Sequence, residues 1–158
     1  MKNIVFCFFI ELVLISCHSK SASDVQFFPE YEITQTCPCQ LVRDTAQENN
    51  IKRANGVDLY SYSCKQNDSI IYHFDVIINK ERTYTIEQIL TAIDSTLISK
   101  SISHKRLLYN NKQAIMIDYG TTKELEVLTD AYSYYFVLQS QDTTGRNFNN
   151  WINSVIFQ

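Results

Sequence analysis

Between Ile102 and Ser140 four strand-length segments follow one another: Ile102 to Tyr109, Lys112 to Tyr119, Glu124 to Thr129 and Tyr132 to Ser140. The joints between them are only a few residues long. A parallel pair needs a crossover of about a dozen residues or more, so each segment must double back on the one before it. Asn110-Asn111 suits the first joint, because Asn tolerates the positive φ of a two-residue hairpin turn. Gly120-Thr121-Thr122-Lys123 supplies the second. The spacing predicts an antiparallel meander.

Upstream, Val57 to Cys64 and Ile70 to Ile78 read as neighbouring strands joined by the polar loop Lys65-Gln66-Asn67-Asp68-Ser69. Ile70, Tyr72, Phe74, Val76 and Ile78 alternate onto a core face, leaving Ile71, His73, Asp75 and Ile77 on the other. An earlier strand is expected within Tyr31 to Arg43, at an edge or bulge because Pro38 cannot donate to a ladder. Ile86, Ile89, Leu90, Ile93, Leu97 and Ile98 recur at helical spacing, with Thr85 and Gln88 as a capping box and Tyr84 placed to staple onto Ile89. A second apolar stripe, Phe148, Trp151, Ile152 and Val155, follows Thr143-Thr144-Gly145, with Thr143 or Thr144 as its cap. The order is β-β-β-α-β-β-β-β-α: one α+β domain over residues 31–158, its largely antiparallel sheet of about six or seven strands covered by two helices.

Three Gly and two Pro in 158 residues exclude collagen and low-complexity disorder. Fourteen Lys and Arg against seventeen Asp and Glu leave a net charge of −3. That is no footprint for a phosphate backbone, and nucleic acid is not an expected partner.

Lys2 followed by the apolar run Ile4 to Ile15 is too short to span a bilayer, which needs about 20 residues, and reads as an export signal. Its end, Leu14-Ile15-Ser16-Cys17, resembles the lipobox of bacterial lipoproteins. Glu11 departs from that pattern, since a carboxylate within the apolar run opposes membrane partitioning. The resemblance implies that residues 1–16 are cleaved, that Cys17 is acylated, and that residues 17–30 form a lipidated tether. The implied partner is the membrane, reached through lipid. His18 and Lys20 stand where some lipoproteins carry acidic sorting residues, which favours the periplasmic side of the outer membrane.

The element order, with its closing segment Phe148 to Phe157, is similar to the PsbP-like fold. That resemblance covers residues 31–158 and implies an α/β/α sandwich used for binding and assembly. It carries no functional residue onto this chain.

Cys37-Pro38-Cys39 and Cys64 are the thiols left in the domain. In an oxidising compartment either of the first two can pair with Cys64, leaving one thiol over, and a Cys37–Cys39 ring would be small and strained. As a metal site the trio lacks a fourth ligand, and no metal or cofactor is expected. Tyr60, Tyr62, Tyr132 and Tyr134 read first as core packing, since a sandwiched sheet needs apolar residues on both faces, and otherwise as an aromatic docking surface for a protein or envelope ligand. His73 and Asp75 share a strand face at a spacing an orienting carboxylate could use, but they read as a polar face. Asp118, Glu124, Glu126 and Asp130 read as solvated strand exteriors, and Lys105-Arg106 is too short for a basic patch. The expected function is a lipid-anchored, non-catalytic binding domain. The alternative is a thiol-based redox or metal-handling protein using Cys37, Cys39 and Cys64.

Overall fold

The computed structural model describes residues 24–55, 57–80 and 83–158. The expected leader, Cys17 and residues 18–23 of the tether lie outside them. The chain runs β1 (Asp24–Phe28), a 3₁₀ turn (Pro29–Tyr31), β2 (Ile33–Cys37), β3 (Val42–Arg43), α1 (Thr45–Asn55), β4 (Leu59–Asn67) and β5 (Ile70–Ile78). It continues through α2 (Ile86–Ser99), β6 (Ser103–Tyr109), β7 (Lys112–Asp118), β8 (Thr122–Leu128), β9 (Tyr132–Ser140), α3 (Arg146–Ile152) and β10 (Ile156–Phe157). The fold is α+β with two antiparallel sheets. The larger has seven strands in the order β3-β4-β5-β9-β8-β7-β6, and the smaller has three in the order β1-β2-β10.

The meander forms as its short joints require. Asn110 and Asn111 take φ of 49° and 61°, and Tyr109 pairs with Lys112 across them. β9 then pairs along its whole length with β5, from Ile70 opposite Ser140 to Ile78 opposite Tyr132, which joins the meander to the β4–β5 hairpin. The hairpin turn is tighter than the expected five-residue loop. β4 runs on to Asn67 through an irregularity between Lys65 and Asn67.

On one face of the large sheet Tyr72, Phe74, Val76, Leu125, Val127, Phe136 and Leu138 form the main core, closed by Phe148, Trp151 and Ile152 of α3 and by Ile33 and Cys37 of β2. Each fully buried large side chain of this kind contributes about 1.5–3 kcal/mol relative to exposure. On the other face Leu90 and Leu97 of α2 pack on Ile115, Ile117 and Leu128. The capping box is made: Thr85 Oγ1 accepts from the Gln88 N–H at 3.2 Å, and Gln88 Oε1 accepts from the Thr85 N–H at 2.8 Å. Tyr84 stays exposed instead of stapling onto Ile89, and Ile98 also faces solvent.

Three expectations are corrected. Residues 24–30, assigned to the tether, begin the fold: β1 pairs with β2 from Asp24 opposite Cys37 to Phe28 opposite Ile33. Among the described residues there are three helices, α1 being the addition, and the single strand expected over 31–43 is divided around Pro38 into β2 and β3 in different sheets. The N-cap of the C-terminal helix is Gly145 at φ 71°, not a threonine, although Thr144 Oγ1 accepts the Arg146 N–H at 3.3 Å, and the helix stops at Ile152, so that Ile156–Phe157 can pair with β2.

Candidate functional site

α2 covers only part of its face of the sheet. Across four strands the uncovered part carries a polar row set by register: Ser61 of β4 lies opposite Asp75, Asp75 opposite Tyr135 of β9, and Tyr135 opposite Glu126 of β8. The next row runs Ser63, His73, Val137, Glu124 and Ile117. Directly opposed residues in a ladder share a face, so both rows stand on the α2 side. α1 reaches the same place from the other flank. Its Gln47 Nε2 lies 3.5 Å from Asp75 Oδ2, and its Glu48 accepts the Ser61 N–H at 3.1 Å.

The acids of these rows are not solvated exteriors, as had been expected for Glu124 and Glu126. Glu126 is 5 % exposed. Burial raises the pKa of Asp75 above the ordinary carboxylate value, although Ser61 Oγ donates to it at 2.5 Å. Burial likewise raises Glu124, with the negative charge of Asp75 adding to the effect. The Tyr135 phenol is pushed up by burial and then by Glu126. Asp118 and Asp130 do sit outside: Asp118 accepts from Lys123 Nζ at 2.5 Å, and Asp130 is exposed.

Because the folded-state pKa values of Asp75 and Glu124 are raised, the fold binds their protons more tightly than the unfolded chain does. Their contribution is fully present below the ordinary carboxylate pKa and is lost as pH rises through the raised one. Glu124→Gln, which cannot ionise, should therefore raise the urea midpoint at neutral pH and leave it little changed at acid pH. An equal gain at both pH values would contradict this account of Glu124.

Beside the rows lies a groove of about 380 Å³ between α2 and the sheet. Ile93, Leu97 and Ile117 form its apolar wall, Glu124 and Glu126 its acidic floor, and Tyr119 and Lys100 stand at its rim. An apolar wall with a few convergent polar groups is the usual make-up of a ligand site. The arrangement can receive an apolar stem that ends in a hydrogen-bond-donating cation.

The other sequence candidates fall elsewhere. Cys39 and Cys64 are joined, and Cys37 is a buried free thiol whose pKa is pushed up to about 11 by burial. The four tyrosines gather around Tyr31, whose ring lies 5.6 Å from Tyr60, 6.4 Å from Tyr62 and 6.0 Å from Tyr132. Tyr62 and Tyr134 are buried, and only Tyr60 and Tyr132 retain part of their surface, so the set is chiefly the end of the core. Tyr134 Oη donates to the Tyr31 carbonyl at 3.2 Å, and the Arg43 guanidinium sits 5.0 Å from the Tyr60 ring centroid. His73 shares its face with Asp75 as expected, and its Nδ1 is buried without a hydrogen-bond partner. Arg106 ties β6 to α2 through Asp94 at 2.5 Å and Glu87 at 2.6 Å.

The groove is not legible in the sequence because its lining depends on which residues of β7 and β8 stand abreast beneath α2, as Ile117 and Glu124 do. Alternation along one strand does not give that register. Among the described residues, no helix is long and apolar enough to cross a membrane. Compared with known proteins, the chain matches no family model, no curated protein and no solved structure.

Proposed function

We propose that this chain is a lipid-anchored cell-envelope protein, held through Cys17 at the periplasmic side of the outer membrane, whose domain binds a ligand without chemistry of its own. The observation that carries the binding half is the groove beside α2, where the half-buried Glu124 and the buried Glu126 face an apolar wall. The anchoring half rests on Lys2, the apolar run to Ile15 and the Leu14-Ile15-Ser16-Cys17 string. The two-sided cover of the large sheet, α2 on one face and α3 with the small sheet on the other, supports reading the domain as a PsbP-like sandwich with a binding role.

The ligand class follows from the groove's charge. Glu124, half-buried beside the apolar wall and with its ionised form disfavoured further by the charge of Asp75, is relieved by a partnering cation, so the occupant is a lysine- or arginine-like group on an apolar stem. An envelope peptide presents such a group.

The address is tested by fractionating cells that make the parent or Cys17→Ala. The parent should partition with the membrane and the variant should be released as a soluble protein. A variant that stays with the membrane as fully as the parent contradicts lipid anchoring at Cys17.

A further inference from the structure

The Cys39–Cys64 bond does not account for the third sulfur beside it. Cys37 Sγ lies 3.6 Å from Cys64 Sγ, and all three Sγ atoms fall within 4.8 Å of one another. Each of the three is held by something other than the bond. Cys37 is fixed by the β1–β2 ladder opposite Asp24, and Cys64 by the β4–β5 ladder opposite Tyr72. The loop bearing Cys39 is clasped by Gln26, whose Nε2 donates to the Cys39 carbonyl at 3.0 Å while its Oε1 accepts the Leu41 N–H at 2.9 Å. Opening the disulfide would therefore leave three thiols gathered in one place.

The surroundings decide what such a trio can hold. Cys37 is fully buried, Cys64 is 9 % exposed, and both belong to the main apolar core. No histidine or carboxylate joins the group among the described residues. Zinc would lack its fourth ligand, and three thiolates around a monovalent or divalent metal would leave a net negative charge in the core, which is costly to bury. A trivalent thiophilic metalloid takes three sulfurs and leaves no charge.

We propose that Cys37, Cys39 and Cys64, once a dithiol has opened the Cys39–Cys64 bond, form a binding site for trivalent arsenic, with arsenous acid as its simplest source. The dithiol passes two electrons to the disulfide, is itself oxidised to a disulfide, and leaves Cys39 and Cys64 as thiols. Three As–O bonds of arsenous acid then break and three As–S bonds form. Each thiol proton leaves with a hydroxide as water, and arsenic stays trivalent throughout. Cys39, the least buried of the three, is the sulfur that a reductant or arsenous acid meets first.

The test is native mass spectrometry of the whole protein, reduced with a water-soluble phosphine that does not compete for arsenic and then titrated with arsenite. The expected product carries one arsenic and lacks three hydrogens, and Cys37, Cys39 and Cys64 are all protected from maleimide. The unreduced protein should take up none. Cys37→Ser should bind about tenfold more weakly or worse. Protection counting on the parent needs no variant, so the outcome stands even if Cys37→Ser folds poorly. Protection of only two of these cysteines, equal affinity in Cys37→Ser, occupation by Zn²⁺ or Cu⁺ but not by arsenite, or loss of the near-ultraviolet dichroism on reduction alone would each overturn the proposal.

Discussion

Trp151→Ala is expected to lower the stability of the domain by about 4 kcal/mol. The ring is 1 % exposed and meets Tyr72 edge-on at 5.1 Å and Phe136 at 5.7 Å, so truncation opens a cavity that neighbours on a rigid sheet cannot fill. A second loss adds to it. Trp151 Nε1 donates to Gln35 Oε1 at 2.8 Å, and Gln35 is completely buried in β2, the middle strand of the small sheet. Removing the indole strands that amide oxygen without a donor. Since a domain of this kind is stable by only about 5–15 kcal/mol, the urea midpoint should move by a large fraction of its value. Trp151 is the only tryptophan, so circular dichroism must follow the unfolding. Trp151→Phe keeps most of the packing and should cost clearly less. A loss below about 1 kcal/mol for the alanine variant would mean that α3 is not part of the core.

The second large effect concerns the disulfide. Cys64→Ala should lower the stability of the oxidised protein by about 3 kcal/mol, because the bond closes a loop of 25 residues in the unfolded chain. Cys37→Ala removes a small apolar group and should cost about 1 kcal/mol. Cys64 is the partner to change, since without Cys39 the nearby Cys37 could take its place. A loss for Cys37→Ala as large as that for Cys64→Ala, with Cys37 found joined to Cys64 in the parent by non-reducing peptide mapping, would contradict the Cys39–Cys64 assignment.

Those two predictions rest on features of unequal legibility. The core face of β5, and the α2 stripe with its cap, are readable because period-2 and period-3.6 apolar spacing survives translation into burial. Tyr72, Phe74, Val76, Leu90 and Leu97 are all buried. α1 escaped because it is Thr-Ala-Gln-Glu-Asn-Asn-Ile-Lys-Arg-Ala-Asn, with too few apolar residues for a stripe. Polar contacts hold it instead: Asp44 Oδ1 accepts the Gln47 N–H at 3.0 Å, and Glu48 pairs with Arg43 at 2.9 Å. The signal that could have found it is Asp44 followed three residues later by Gln47, a helix-start pattern. β1 escaped for the opposite reason, since Val25 and Phe27 point to solvent while Gln26 faces the Cys39 loop. The trio of cysteines was legible as a group, but only the structure chose Cys39 over Cys37 as the partner of Cys64. The acidic groove was not legible at all, because Glu124 and Glu126 look like ordinary outward positions until α2 and the neighbouring strands are placed around them.

The claim that this groove is the binding site is tested most directly by mapping amide shifts in ¹H–¹⁵N spectra during titration with a short peptide that carries one lysine among leucines. The account predicts saturable shifts at Leu97, Lys100, Ile117, Tyr119, Glu124 and Glu126. Affinity should fall as acidification neutralises Glu124, and Glu124→Gln combined with Glu126→Gln should weaken binding by about tenfold or more. Shifts confined to the Tyr60 and Tyr132 end of the domain, or an equal response to the same peptide with glutamate in place of lysine, would contradict it.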